Sequence, residues 1–285
     1  MKAKLDEAAL AFAICSARLQ PAGRRARPGG DWLETMDRAH VGTTGRQRLP
    51  DRERRPGVLS TDPEPIVSFD GIWRYWGRGK KRWAVLRDID LQLAPATLTC
   101  IAGANGAGKT TLLRIATGIL APHAGSVTVA GIRGSENWRE FHQRIGFLSA
   151  GDRGLYARVS VRGHLEYVTR IAFMAGAERE QAMGDALERF GLIELAKRRA
   201  DRLSLGQRQR LRLALATIHR PKLLLLDEPR NSLDEEGLQM LRRAIDEVLA
   251  RDGAVIWCCP AGEEEPIRFD RSFLIEDATL RQELI

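Results

Sequence analysis

The chain has 285 residues, carries a formal net charge of +8 at pH 7, and contains four cysteines, Cys15, Cys100, Cys258 and Cys259, with no metal-ligand spacing among them. No stretch approaches the about 18 consecutive apolar residues of a membrane helix, so the chain does not form a pore by itself. Its Arg residues are scattered rather than set in one stripe, which argues against nucleic acid as a partner despite an isoelectric point near 9.7.

Residues 1–65 differ in kind from the rest. They are rich in Arg, Gly and Pro, as in Pro21 to Gly30 (PAGRRARPGG) and Arg52 to Gly57 (RERRPG), with little apolar periodicity. The expectation is a disordered basic extension with a short helix near Leu5 to Leu19, its Arg clusters suiting a solvated tail or a lipid-headgroup contact. The run Ala8 to Ala17 after Lys2 and Lys4 has some signal-peptide character, but Asp6 and Glu7 interrupt the basic region and the apolar core is short. A start at Met36 or later is an open alternative.

From Ile66 to the C-terminus the chain is long enough for one α/β core with an inserted helical part. The apolar run Thr97, Leu98, Thr99, Cys100, Ile101 predicts a strand. It leads directly into Gly103 to Thr111, GANGAGKTT, which completes the phosphate-loop pattern G-x-x-x-x-G-K-[ST] ahead of a helical stretch. Gly103, Gly106 and Gly108, with Asn105 and Ala107 between them, let the backbone turn tightly and aim its N–H groups at phosphates, against the positive end of the following helix. In this pattern Lys109 reaches the β- and γ-phosphates of a nucleotide and Thr110, followed by Thr111, offers a hydroxyl to Mg²⁺.

Helix spacing recurs from Val161 to Ala200, with Leu165, Val168, Ile171 and Ala172 on one stripe and Met183, Leu187 and Phe190 on another, both read as core packing. Leu203 to Gln207 then reads LSLGQ and introduces a further helical run. Leu223 to Leu226 predicts a strand buried on both faces, ending in Asp227 and Glu228. Because ligands gather at the carboxyl ends of strands in open α/β sheets, Asp227 is placed for Mg²⁺, usually through water, and Glu228 to orient or deprotonate an attacking water. Asp234, before Glu235 and Glu236, has the look of a helix N-cap. Ala254 to Cys259 predicts another buried strand, and a last one is expected around Phe273 to Glu276 with no regulatory domain after it.

The LSLGQ segment, twenty residues before Asp227 when counted from Gln207, closely resembles the LSGGQ signature of ATP-binding cassette (ABC) ATPases. Three ordered motifs carry the resemblance, which spans roughly Ile66 to the end. It implies an ABC-type nucleotide-binding domain of the P-loop NTPase class: an α/β fold with a mostly parallel sheet core, an antiparallel β subdomain, and a helical subdomain inserted at about 150–205. It also implies ATP and Mg²⁺ as ligands, head-to-tail pairing with a second nucleotide-binding domain, and a transmembrane permease subunit as partner at the cytoplasmic face of the membrane. In the pairing, Ser204, Gly206 and Gln207 would meet the γ-phosphate held by the other phosphate loop. Both Ser204 and Gly206 are expected to precede the helix, and Leu205 stands where the family most often has Gly.

By the same resemblance Tyr75, beside Trp73 and Trp76, lies where the family stacks an aromatic on adenine, although an aromatic edge strand reads equally well. Asn231 to Asp234 resemble the loop that touches the partner subunit. The departures are as informative. Pro260 takes the place of the family's switch His, and it has neither an imidazole nor a backbone N–H. Ala150, after Ile145 to Ser149, takes the place of the loop Gln, with Asp152 as a possible stand-in beside Arg153, or both as solvated loop charges.

The expected function is therefore the ATP-binding subunit of an ABC transporter, with good MgATP binding and slow intrinsic hydrolysis. Export is favoured because Gly154 to Tyr167 (GLYARVSVRGHLEY) looks like the loop-to-helix region of export-type members. One alternative is a weakly hydrolytic or non-hydrolytic regulatory half of a heterodimer, to which Pro260 and Ala150 point. Another is a soluble ABC protein of translation or DNA repair, disfavoured by the single cassette and the absence of heptads.

Overall fold

Leu223, Leu224, Leu225 and Leu226 are all fully buried, and alternate members enter opposite cores. A strand has a side-chain period of two, so an unbroken apolar run requires cover on both faces. The computed structural model describes residues 64–151, 154–230, 233–262 and 267–283, which belong to one unit of the chain. The extension expected over residues 1–65 lies almost entirely outside the described residues, as do Asp152, Arg153, Asn231 and Ser232.

Ten strands and six α-helices follow in order: β1 (Val67–Trp76), β2 (Trp83–Leu93), β3 (Thr97–Gly103), α1 (Lys109–Ala116), β4 (Ala124–Val129), β5 (Ile132–Arg133), α2 (Trp138–Gln143), β6 (Ile145–Leu148), α3 (Val161–Ile171), α4 (Gly176–Arg189), α5 (Leu205–Thr217), β7 (Leu223–Asp227), α6 (Glu235–Leu249), β8 (Ala254–Pro260), β9 (Arg271–Glu276) and β10 (Thr279–Glu283). They form two sheets among the described residues. The six-stranded sheet has the order β10-β9-β3-β8-β7-β6 and is parallel except for the β9–β10 hairpin. The antiparallel sheet has the order β2-β1-β4-β5. This is the ABC-type α/β fold that the motifs imply. One expectation is corrected: β1 is an inner strand, not an edge, because β2 and β4 both pair with it.

The two cores explain the layering. On one face of the main sheet Leu224, Leu226, Val255 and Trp257 pack with α3, α4, α5 and α6 through Leu165, Met183, Leu211 and Leu241. On the other face Leu223, Leu225, Ile256 and Cys258 pack with α1 and the antiparallel sheet through Leu112, Leu113, Phe69 and Leu86. The two helical stripes read from the sequence are buried as expected at Leu165, Met183, Leu187 and Phe190. Each such side chain contributes about 1.5–3 kcal/mol on leaving water. Cys100 and Cys259 lie on the first of these faces with their Sγ atoms 3.3 Å apart.

Strand register sets where the ends emerge. Gly103 pairs with Pro260, Asp227 with Cys258, and Leu148 with Leu226, so β3, β8, β7 and β6 finish along one edge. The phosphate loop, Pro260, Asp227–Glu228 and Ser149–Ala150 leave from that edge.

Candidate nucleotide site

The phosphate loop follows β3 without a gap. Gly108 is the N-cap of α1 and has φ 115°; a Cβ there would come within 2.9 Å of the Val85 carbonyl oxygen. A side chain would be both strained and blocked at this position. Gly106 also has a positive φ, 85°, whereas Gly103 is the last residue of β3 and is needed for close approach to the Ile275 carbonyl rather than for turning. α1 has no side-chain cap and no acidic residue in its first turn. Its first N–H groups therefore present a partial positive charge to the loop.

Lys109 is buried, and its Nζ donates to the carbonyls of Gly103 at 2.5 Å and Ala104 at 3.1 Å. These acceptors are neutral, so the ammonium charge is held inside the loop without being cancelled by them. Asn105 is exposed at the loop tip, Ala107 donates its N–H to the Ala104 carbonyl at 3.1 Å, and Thr111 continues the helix.

Thr110 Oγ1 donates to Asp227 Oδ2 at 2.8 Å, joining the loop to the end of β7. Asp227 is 1% exposed, and its Oδ1 is buried without a hydrogen bond. Burial pushes its carboxyl above the usual range, the Thr110 hydroxyl opposes that rise, and the adjacent Glu228 carboxylate adds to it. A buried carboxylate oxygen lacking a donor, beside a hydroxyl, fits a hard divalent cation that takes oxygen ligands. Among the described residues there is no cluster of three or more His, Cys, Asp or Glu to hold a metal, so such a cation would take its remaining ligands from water and phosphate. Glu228 has φ 49°, a conformation uncommon for a side-chain-bearing residue, and its N–H is held by the Cys258 carbonyl at 3.0 Å.

The LSLGQ segment starts α5. Ser204 is the N-cap, accepting from the Gln207 N–H at 3.2 Å while its own N–H donates to Gln207 Oε1 at 3.0 Å. This is a complete capping box. Of the expected pair, only Ser204 precedes the helix; Gly206 lies within its first turn, and Leu205 is 47% exposed. Asp234 caps α6 by accepting from the Gly237 N–H at 2.8 Å and also receives Arg210 from α5 at 2.8 Å.

Near the loop, β1 ends and β2 begins in aromatic residues. The Tyr75 ring lies under the Arg82 guanidinium at 4.0 Å, stacks on Trp73 with centroids 5.9 Å apart, and meets His123 edge-on at 5.5 Å. The neighbouring Trp76 ring likewise carries the Arg74 guanidinium, at 4.6 Å. Trp76, one residue on, is exposed and pairs in register with the exposed Trp83.

Pro260 ends β8 opposite Gly103, and the next N–H, that of Ala261, donates to the Gly103 carbonyl at 3.3 Å. His219 is not at this edge; its Nε2 meets the carbonyl of Ile145, at the start of β6. Ala150 follows β6 beside Asp227, flanked by carbonyls that accept from Arg212 of α5. Neither Arg212 nor its neighbour Gln209 is legible as a site residue in the sequence, where both read as ordinary helix positions.

A cavity of about 170 Å³ opens between β6, α3 and α5, with Ser149, Tyr156, Tyr167, His142, His164 and Arg212 among its lining residues. His164 accepts from the Tyr156 N–H at Nε2, 2.9 Å, so its Nδ1 carries the proton and donates to the Ser160 carbonyl at 2.8 Å. Burial pushes the imidazoles of His142, His164 and His219 below their ordinary range.

The family model described as ABC transporter matches residues 86–231. The ABC transporter ATP-binding protein NatA of Bacillus subtilis is 33% identical over 210 residues, 74% of this chain and 85% of NatA. The methionine import ATP-binding protein MetN of Nocardia farcinica is 34% identical over 176 residues, 60% of this chain and 52% of MetN. Among solved structures, a dimeric post-hydrolysis state of the ATP-binding cassette MJ0796, bound to ADP and Pi, superposes with a TM-score of 0.67 at 22% identity, covering 76% of this chain and 98% of that one.

Proposed function

The chain belongs to the ABC transporter family of ATP-binding proteins, and from that premise we propose that it is an export-type subunit which binds MgATP tightly, hydrolyses it slowly by itself, and drives separate membrane subunits through closure of a nucleotide-binding dimer. Lys109 and the start of α1 bind the phosphates, Thr110 and Asp227 hold Mg²⁺ at the inner side of the loop, and Glu228 orients water. Mg²⁺ supplies charge neutralisation on the phosphates when bound. Trp76 rather than Tyr75 receives the adenine in this proposal because it is the more exposed ring; each ring carries a guanidinium, Arg74 over Trp76 at 4.6 Å and Arg82 over Tyr75 at 4.0 Å. Ser204, Gly206 and Gln207 serve the site of the second subunit, with the exposed Leu205 at that contact. A peripheral place at the membrane agrees with the described helices, none of which is long and apolar enough to cross it. Residues 66–285 form the nucleotide-binding domain in this proposal, with 1–65 as a basic extension.

The observation that carries slow hydrolysis is the register of Pro260 with Gly103. Proline has neither a side-chain donor nor a backbone N–H, so this position itself offers no hydrogen bond to a γ-phosphate or to the attacking water. The direction of transport rests on Gly154 to Tyr167; family membership does not set it, since an import protein is among the relatives.

The same Pro260 favours a second reading, in which the chain is the weakly hydrolytic half of a heterodimer and lends α5 to a partner's competent site. ATP turnover by the purified chain, beside Glu228→Gln and Pro260→His, separates the two. Slow turnover, below the about 1 to 100 per second typical of kinase-like phosphoryl transfer, abolished by Glu228→Gln, supports the subunit working alone. Negligible turnover that Pro260→His restores supports the heterodimer half. Fast wild-type turnover would refute both accounts of Pro260.

A further inference from the structure

Arg212 is 6% exposed, on the inner face of α5, and its guanidinium reaches across to the residues that follow β6. Nη2 donates to the Ser149 carbonyl and, at 2.9 Å, to Ser149 Oγ; Nη1 donates to the Gly151 carbonyl and, at 2.7 Å, to Gln209 Oε1. Gln209 in turn donates from Nε2 to the Pro229 carbonyl at 3.3 Å. A planar, rigid fork is the group suited to hold several acceptors in fixed relation. One side chain of the signature helix therefore grips both sides of Ala150 and, through Gln209, the backbone next to Glu228.

The consequence lies at Asp227. Ala150 sits between the two gripped carbonyls, just past the end of β6, whose last residue Leu148 pairs with Leu226, the residue before Asp227. With Ala in place of a polar side chain, position 150 acts on the site only through its backbone, and backbone groups are only as well placed as their anchors. We propose that Arg212 is a positioning residue that ties the start-of-dimer helix α5 to the cation side of the nucleotide site, holding Ser149–Gly151 and Pro229 so that Asp227 and Glu228 keep their geometry for Mg²⁺ and water. This rests on the nucleotide-site reading above. It assigns to α5 a role within its own subunit's site in addition to the contact made by its first turn.

The test separates Mg²⁺ placement from nucleotide binding. Binding of fluorescent mant-ATP to the full chain is titrated with Mg²⁺, and its affinity is also measured in EDTA. Arg212→Met should raise the Mg²⁺ midpoint at least fivefold and leave the EDTA affinity within twofold, because the phosphate loop is untouched. Arg212→Lys should fall between, since an ammonium reaches one carbonyl but cannot fork, and Gln209→Leu should give a smaller shift through the Pro229 branch alone. A folded Arg212→Met protein with an unchanged midpoint would overturn the proposal. Should that variant fail to fold, an unchanged midpoint in Arg212→Lys overturns it equally. Wild-type binding no stronger than that of Lys109→Ala would instead refute the nucleotide-site reading, and this proposal with it.

Discussion

Thr110 Oγ1 and Asp227 Oδ2, 117 residues apart in sequence, are joined by a 2.8 Å hydrogen bond that leaves the other Asp227 oxygen buried with no hydrogen bond. The pair stores a cost. Burial raises the Asp227 pKa, and a carboxyl whose folded pKa is raised binds more protons folded than unfolded. Its ionised form therefore subtracts from stability as pH rises through the folded value, and at neutral pH that cost persists until a cation arrives.

Asp227→Asn should thus divide stability from function. Without nucleotide, its melting temperature should equal or exceed that of the wild type. The Mg²⁺ concentration needed for tight ATP binding should rise about 10- to 100-fold, the range for groups that orient a metal from the next shell. Thermal melts with and without MgATP check both halves, and a lower melting temperature for the apo variant would mean that Asp227 stabilises the fold.

The adenine platform is a separate question, decided by exposure. Both rings carry a guanidinium, Arg82 over Tyr75 and Arg74 over Trp76, but Tyr75 is half-buried whereas Trp76 is exposed across from Trp83. Trp76→Ala should weaken ATP binding roughly tenfold, about 1.4 kcal/mol, within the range for stacking of a base on an aromatic ring. Tyr75→Ala should cost less than about threefold, under 0.7 kcal/mol. Nucleotide titrations of the two variants give the ranking, and the reverse order would return the platform to Tyr75.

This choice shows where sequence reading stops. The phosphate loop, the Leu223–Glu228 strand end and the Ser204 cap are contiguous, so their residue types and spacing carry the chemistry directly. Which of Tyr75 and Trp76 is the more exposed depends on how the β1–β2 hairpin packs, which no local pattern records. Likewise the strand order β3-β8-β7 brings Pro260 between the loop and Asp227, against the order of the chain. The grip of Arg212 on residues 61 and 63 positions away is invisible for the same reason, since on a helical wheel it is one more polar residue.

Acid sensitivity should trace in part to His164. Its Nε2 accepts from the Tyr156 N–H, so protonation there removes an acceptor inside a buried cavity. The folded pKa lies below the ordinary 6.5 because of burial. For a base depressed on folding, the unfolded chain binds the extra proton, so its contribution is intact above 6.5 and declines as pH falls from 6.5 through the folded value. Denaturant melts between pH 5 and 8 should show stability falling on the acid side. In His164→Gln the slope should be shallower by up to one proton, about 1.4 kcal/mol per pH unit. An unchanged slope would assign the acid sensitivity to groups other than His164, among them His123, His142 and His219, whose imidazoles are also held below the ordinary range.

Trp257 presents the opposite balance, a large apolar gain with one polar loss. Its ring is fully buried in the core between β8 and the helical layer, edge-on to Phe269 at 6.0 Å, while its Nε1 is buried without a hydrogen-bond partner. Leaving an N–H unsatisfied costs about 1–3 kcal/mol. Trp257→Ala removes the whole ring and should destabilise by about 3–5 kcal/mol. Trp257→Phe loses part of the packing but also the unsatisfied donor, so the two terms offset and the net cost should stay within about 1.5 kcal/mol. Urea unfolding of the three proteins measures the difference. A Phe variant as unstable as the Ala variant would show that the indole N–H finds an acceptor in solution, and that its bond, rather than the ring's area, holds β8 against the helices.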